Sequence, residues 1–342
     1  MTRLRTVIVG FGAIARGLER DARMARYFRY ATHAQALAAH PAFAWTAVVD
    51  PDPAARAAVA VWPGVRACAS LAELPDAASY EVAVLSGPPD SRIDAARSLP
   101  GLKAVMAEKP LGADFAAAGT LVELCRTRGV ALQVNLWRRG DATMRALAAG
   151  GREARIGRLQ AGTALYGNGL RNNGTHLVDL LRMLCGEVRT VRAAGPATVL
   201  GGTPLAGDVA LSAEIVMAGG GQVALLPLDF AQYREVGLDL WGERGRLSIL
   251  HEGLLVQHYP RRANRAVDGT DEIACDSPET LPAGASDALY ALYDNLAAHL
   301  ATGAAMASSG ASALASEAVI DALLRSSRGA GCVVALDERR AA

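Results

Sequence analysis

The 342-residue sequence predicts an α/β protein in two parts: a doubly wound parallel sheet over residues 1–136, and an α+β region with an open, mostly antiparallel sheet over 137–342. Three observations lead there. Short apolar runs without alternation, such as Val82-Ala83-Val84-Leu85 and Ala104-Val105-Met106-Ala107, suit strands covered on both faces, and helix-length segments separate them. The first such run breaks at a glycine turn. Beyond Arg189 the strand-like runs follow one another directly with glycines at the breaks, as antiparallel hairpins do.

Composition narrows the function. With 51% apolar and 20% charged residues the chain has material for two cores. A formal charge of +1 argues against duplex nucleic acid or an anionic membrane surface as partner, so a small-molecule ligand is expected. Cys68, Cys125, Cys185, Cys275 and Cys332 are odd in number, scattered and without a C-x-x-C pair, which predicts reduced thiols in a cytoplasmic protein, with neither disulfides nor a metal site. The apolar stretch Thr6 to Val9 is too short for a signal peptide, and no run reaches the ~18 apolar residues of a membrane span.

In chain order, the β-branched run Thr6 to Val9 leads into Gly10-Phe11-Gly12-Ala13-Ile14-Ala15, a G-x-G-x-x-A turn. Gly10 permits the tight turn, Gly12 lets backbone approach a pyrophosphate, and Ala15 allows the next helix to pack closely. A second strand, Ala44 to Val49, ends at Asp50-Pro51-Asp52, where an acid accepts hydrogen bonds from ribose hydroxyls and repels a 2′-phosphate, favouring NAD over NADP. Asp50 comes later than the roughly 20 residues such turns lead one to expect. The extra length is Arg16 to Thr32, with Arg16, Arg20, Arg23, Arg26 and Arg29 among aromatics: either a longer solvated helix, or an arm offering guanidinium groups to an anionic substrate.

The run Val82 to Leu85 ends at Ser86-Gly87-Pro88-Pro89, a turn placed to brace a dinucleotide. A helix over Ser91 to Leu99 precedes Ala104 to Ala107, which delivers Glu108, Lys109 and Pro110 to the strand's carboxyl end, where open α/β sheets bind ligands. Lysine shifts its pKa readily when desolvated, which makes Lys109 a candidate proton carrier; Pro110 offers no N–H and admits a cis bond. A helix over Asp114 to Arg128 and a strand Ala131 to Asn135 close the first part. Next come a short helix near Asp141 to Ala149, a strand Arg158 to Tyr166, and a helix from about Gly174 to Cys185 stopped by Gly186. Asn172, Asn173 and His176 then fall near one helix N-terminus, whose dipole holds an imidazole towards its neutral form. Strands follow over Thr190 to Ala194, Val209 to Met217, Gln222 to Phe230, Glu235 to Trp241, Arg246 to Leu250 and Leu254 to His258, then an exposed loop from Arg261 to Pro282. Two helices, Asp287 to Ala301 and Ser312 to Ser327, are expected to pack back on the first part.

Taken together, Gly10-Phe11-Gly12-Ala13-Ile14-Ala15, Val48-Val49-Asp50-Pro51-Asp52, Glu108-Lys109-Pro110-Leu111, Asn135 with Arg138-Arg139, and Gly174-Thr175-His176-Leu177-Val178-Asp179-Leu180 resemble the Gfo/Idh/MocA family, the glucose-fructose oxidoreductase and inositol dehydrogenase group. The resemblance implies an N-terminal Rossmann domain, an α+β second domain that mediates homodimers or homotetramers, and NAD as cofactor. It also implies that Lys109 and His176 face a substrate carbinol, with Glu108 and Asn172 completing the catalytic set. Gly10, Phe11, Gly12, Ala13, Ile14, Asp50, Ser86, Pro88, Glu108, Lys109 and Asn135 would hold the cofactor. Lys109, Arg138, Tyr166, Asn172, Asn173 and His176 would hold the substrate.

One departure matters: the family's usual D-x-G-x-H reads Asn172-Asn173-Gly174-Thr175-His176 here, and an amide cannot accept a proton as the acid would. The expected activity is hydride transfer between nicotinamide and a CH–OH or C=O group of a sugar, cyclitol or nucleotide-linked sugar. The alternatives are an NAD-dependent glycosidase that oxidises its sugar transiently, and a non-catalytic nucleotide-binding protein.

Overall fold

The structure is a computed structural model and describes residues 3–22 and 24–336. Its contacts divide into two units, Met1–Asp141 with Ser286–Leu314, and Ala142–Ala285 with Ala315–Ala342.

The first unit is built on six parallel strands: β1 (Leu4–Val9), β2 (Phe43–Val49), β3 (Arg66–Cys68), β4 (Val82–Leu85), β5 (Ala104–Ala107) and β6 (Ala131–Val134), ordered β3-β2-β1-β4-β5-β6. Successive strand residues face opposite ways, and each way meets a packed layer. Val7, Leu85, Val105 and Ala107 join one core with Ala95, Leu99, Leu121 and Cys125 of the helices Arg92–Arg97 and Phe115–Thr127 and their flanks. Ile8, Val84, Ala104 and Met106 join another with Leu37, Leu292, Tyr293 and Leu296 of the helices His33–Ala39 and Ala288–Thr302. Burial on both faces is why these strands read as continuous apolar runs. The edge strand β3 is invisible in the sequence because Arg66 and Ala67 are exposed and leave no such run.

Register sets the functional edge. The last strand residues pair Val49 with Val9, Val9 with Leu85, Leu85 with Ala107 and Ala107 with Val134. The residues that follow, Asp50, Gly10, Ser86, Glu108 and Asn135, therefore leave the sheet side by side along one rim.

The segment Arg16 to Thr32 is not one long helix. It makes a 3-10 turn, Gly17–Arg20, and a single helical turn, Met24–Tyr27, before its chain is pinned to this unit. The N–H groups of Arg29 and Tyr30 donate to Ser286 O at 3.1 and 3.4 Å, Tyr30 stacks on Tyr290 at 4.7 Å, and Phe28 meets Trp137 edge-on at 5.7 Å. Arg23 and the side chain of Arg20 lie outside the described residues.

The second unit carries β7 (Leu159–Tyr166), β8 (Val188–Ala193), a two-stranded ribbon of β9 (Thr198–Val199) and β10 (Val209–Ala210), then β11 (Ala213–Met217), β12 (Gln222–Pro227), β13 (Gly237–Gly242), β14 (Gly245–Leu250), β15 (Leu255–Ala263), β16 (Asp271–Ile273), β17 (Glu279–Leu281) and β18 (Val334–Ala335). The large sheet runs β16-β15-β14-β13-β7-β12-β11-β8-β18, with β17 also on β15; all pairs are antiparallel except β7 with β12. The helix Thr175–Cys185 lays Leu177, Leu180, Leu181 and Leu184 on the core of this sheet, and the helix Gly310–Arg328 adds Val319, Ile320 and Leu323. Only the start of that last helix belongs to the first unit, because its apolar face from Val319 onward is buried in the second.

Two expectations are corrected. The run Val209 to Met217 is not one strand: Leu211 N and O both bond the Tyr166 hydroxyl at 2.9 Å, which takes Leu211 out of the ladder. The region Arg261 to Pro282 is not all loop, since Arg261 pairs with Ile273 and Val256 with Leu281. Among the described residues no helix is long and apolar enough to cross a membrane.

Candidate active site

On the rim of the first sheet, the Gly10 backbone turns at φ +87°, and a Cβ built there would lie 2.3 Å from Gly87 N and 2.4 Å from Gly87 Cα. Only glycine fits. At Gly12 a Cβ would meet nothing within 4 Å, which is the open backbone approach that a pyrophosphate requires. Ala13 and Ile14 open the helical turn Ala13–Arg16, whose N-terminus favours an anion.

Phe11 turns its ring inward between Trp45 and Trp62, at 6.0 and 5.6 Å, while its N–H donates to Asp50 Oδ2 at 2.5 Å. Asp50 Oδ1 accepts from Asp52 N at 2.8 Å, so the carboxylate is fixed beside the glycine turn and each oxygen keeps a lone pair for a ribose hydroxyl. Ser86 Oγ donates to Gly10 O at 2.6 Å and ties the two turns together, with Pro88 leading into the 3-10 turn Pro89–Ser91. These residues fit a dinucleotide.

Glu108 and Asn135 meet further along the rim. Glu108 is 7% exposed, and its Oε1 accepts from Asn135 Nδ2 at 2.6 Å and lies 2.9 Å from His33 Nε2. His33 Nδ1 is in turn 2.7 Å from Tyr293 Oη. Burial alone would raise the Glu108 carboxyl, but the hydrogen bonds from His33 and the Asn135 amide and the nearby Lys109 charge outweigh it and hold Glu108 below the usual carboxylate range. Asn135 Oδ1 is shielded and makes no hydrogen bond among the described residues, an acceptor suited to an amide of a bound ligand.

Lys109 is half-buried and its bond to Pro110 is cis. The main chain here is clamped by the buried Arg92, which donates to the carbonyls of Glu108 and Pro110 and, at 3.1 Å, of Gly87. Arg138, just past β6, is 4% exposed with its guanidinium over Trp137 at 4.4 Å.

In the second unit, Asn172 and Asn173 sit in a π turn, Leu170–Gly174, that runs straight into the helix Thr175–Cys185. The helical run thus starts before His176, and its first free amides are taken: Asp208 Oδ1 accepts from Arg171 N at 3.0 Å and Asp208 Oδ2 from Asn172 N at 2.9 Å. His176 is the second residue of the helix Thr175–Cys185, and the buried Asp208 carboxylate lies against the turn that precedes it. Asn172 Nδ2 donates to Asn168 O at 3.1 Å, and Asn173 Nδ2 is shielded from solvent with no hydrogen bond among the described residues.

Tyr166 is also corrected as a substrate ligand. Its ring is fully buried, its hydroxyl is committed to Leu211, and burial pushes its pKa far above the ordinary phenol range.

Four residues that build these arrangements escape the sequence reading: His33, Arg92, Asp208 and Tyr293. Thr32-His33-Ala34-Gln35 does carry a helix-start signature, and the structure shows the full capping box of Thr32 and Gln35. Tyr293 shares the helical spacing of Leu289, Leu292 and Leu296 and so its inward face. Nothing local marks Asp208 or Arg92.

A dinucleotide turn, an acid closing β2 and an ionised carboxylate beside a lysine at the end of β5 define a nicotinamide-nucleotide-binding oxidoreductase as the class. Residues 4–136 match the family model GFO_IDH_MocA, described as the oxidoreductase family with an NAD-binding Rossmann fold. Among curated proteins none matches the sequence.

Solved structures share the fold over almost the whole chain. The WlbA dehydrogenase from Bordetella pertussis, in complex with NADH and UDP-GlcNAcA, is 22% identical with a TM-score of 0.71, covering 98% of this chain and 99% of that one. The UDP-N-acetylglucosamine 3-dehydrogenase GnnA from Acidithiobacillus ferrooxidans is 19% identical with a TM-score of 0.72, covering 96% and 99%. An oxidoreductase from Agrobacterium radiobacter, in complex with NAD+, L-tartaric acid and magnesium, is 17% identical with a TM-score of 0.72, covering 98% of each chain.

Proposed function

We propose that the protein is an NAD-dependent dehydrogenase or reductase acting on a CH–OH or C=O group of a sugar, cyclitol or nucleotide-linked sugar. The observation that carries this is the Glu108 carboxylate, buried and ionised next to Lys109 on the rim that also bears the dinucleotide turn. The sugar class is supported by the substrates named for the Bordetella and Acidithiobacillus proteins.

Bound NAD supplies or accepts hydride at the nicotinamide. Lys109 as the neutral amine takes the hydroxyl proton in oxidation, and the ammonium so formed, held beside the Glu108 carboxylate, returns it in reduction. On the strength of the motif resemblance, His176 hydrogen-bonds the reacting oxygen, and Asn172, Asn173 and Arg138 hold substrate hydroxyls or anionic groups. Asp50 favours NAD over NADP. Apolar residues of the second sheet that are half-exposed, Val216 and Ala224, or exposed, Leu226, support a homodimer or homotetramer, which sedimentation would measure.

Lys109→Met is expected to keep NADH binding and lose turnover by ~10²-fold or more; near-normal turnover would remove Lys109 from the chemistry. NADH absorbance across a panel of sugars, sugar acids and nucleotide sugars tests the class. Release of free sugar without net NADH would replace the dehydrogenase by a glycosidase, and binding without turnover of any member would leave a nucleotide-binding protein.

A further inference from the structure

The buried chain Tyr293, His33, Glu108, Asn135 does more than the proposed chemistry asks of Glu108. His33 is fully buried at the first position of its helix, whose opening turn is fixed by the Thr32–Gln35 capping box. Tyr293, equally buried, comes from the helix Ala288–Thr302 on the same face of the sheet and meets the imidazole edge-on at 5.8 Å. Two helices thus hold one imidazole against one carboxylate.

With Tyr293 protonated and Glu108 ionised, one arrangement satisfies every group: Tyr293 O–H donates to Nδ1, and Nε2–H donates to Glu108 Oε1. All protons of the chain point towards Glu108. Burial together with the Glu108 charge keeps the Tyr293 phenol protonated.

We propose that His33 is a positioning residue for proton transfer at Lys109: its Nε2–H, aimed by Tyr293, keeps Glu108 charged and fixed, and that charge sets the pH at which Lys109 releases its proton. This rests on the reading of Lys109 as the proton carrier. The charged and titratable groups facing Glu108 are His33 and Tyr293 from the two helices, Lys109 beside it in the chain, and Arg92, whose guanidinium grips the carbonyls of Glu108 and Pro110. Asn135 from β6 adds an uncharged donor.

The sign follows. Without the Nε2–H, burial favours the protonated acid, the negative charge beside Lys109 fades, and the ammonium loses its stabilisation. Lys109 then titrates lower.

The test is the pH dependence of acylation at Lys109, read residue by residue by mass spectrometry on the intact protein, beside the pH profile of kcat/KM. The variants are His33→Leu, which lacks the donor, His33→Gln, which restores an amide donor, and Tyr293→Phe, which removes only the aiming hydroxyl. In His33→Leu the Lys109 midpoint should fall by about one pH unit or more. His33→Gln should recover most of that, Tyr293→Phe should show a smaller fall, and the matching limb of kcat/KM should move in step.

A midpoint unmoved in both His33→Leu and Tyr293→Phe overturns the proposal, even if turnover or melting temperature drops. Should His33→Leu not fold, an unmoved midpoint in Tyr293→Phe overturns it alone. Labelling reads Lys109 without turnover, so a shifted midpoint in a protein that oxidises no sugar upholds the proposal and rejects the dehydrogenase reading. Turnover with an unshifted midpoint does the reverse.

Discussion

The two glycines of the first turn should separate under the same substitution. In Gly10→Ala the new Cβ would stand 2.3 and 2.4 Å from main-chain atoms of Gly87, at φ +87°. Neither obstacle is the end of a flexible side chain. The left-handed backbone costs roughly 1–2 kcal/mol for an L-residue and forced overpacking roughly 1–3 more, so a loss of about 2–5 kcal/mol is expected. In Gly12→Ala the backbone is at φ −82° and the Cβ would meet nothing within 4 Å, so stability should stay within roughly 0.5 kcal/mol. That methyl fills the approach a pyrophosphate uses, and losing about one good hydrogen bond or its equivalent weakens NADH by ~10- to 100-fold. Thermal unfolding without cofactor and an NADH fluorescence titration measure the two effects independently. A Gly10→Ala protein melting with wild type would refute the packing argument, and a Gly12→Ala protein binding NADH like wild type would refute the assignment of the turn.

Tyr166→Phe strands Leu211 N and O in the core and should cost about 1–3 kcal/mol while leaving the substrate KM unchanged; a raised KM at unchanged stability would return Tyr166 to the substrate. A thiol reagent on native protein should modify the exposed Cys275 and Cys332 and spare Cys125 and Cys185, both pushed up to about 11 by burial. Because these folded-state values lie above the unfolded value of 9.0, the contribution of the buried Cys125 and the partly buried Cys185 is intact at neutral pH and fades as pH rises towards 11, which alkaline melting curves would show. Asn172→Asp, which restores the acid common in the family, removes the donor to Asn168 O and sets a second carboxylate near Asp208; it should lose about 1–3 kcal/mol without gaining turnover.

The parallel sheet was readable because burial on both faces writes itself as Val82-Ala83-Val84-Leu85 and Ala104-Val105-Met106-Ala107, and because one edge of that sheet takes the residue after each strand. Gly10, Asp50, Ser86, Glu108 and Asn135 are all such residues. Long-range partners were not readable. Asp208 answers amides of Arg171 and Asn172 from a distant loop, and Arg92 reaches carbonyls across the rim; neither leaves a periodic trace. The Arg16 to Thr32 segment reads as helical from its composition, yet what orders it is the Ser286 carbonyl and the ring of Tyr290, which no local pattern encodes.

The same alternation explains why the Glu108 carboxylate is held inside the protein rather than facing solvent. Ala104 and Met106 turn towards the layer of Leu37, Leu292 and Tyr293, while Val105 and Ala107 turn towards the layer of Leu99 and Leu121. Glu108 stands two residues past Met106 and continues its side, which delivers the carboxylate to the helices that carry His33 and Tyr293. There the acid is largely withdrawn from water, and burial of an unpaired carboxylate favours its protonated form. Two donors on Oε1 prevent that. The chemistry at the end of β5 is therefore a consequence of strand parity: a one-residue slip of that strand would place Glu108 on the other face, away from both donors, and leave Lys109 without a fixed negative neighbour.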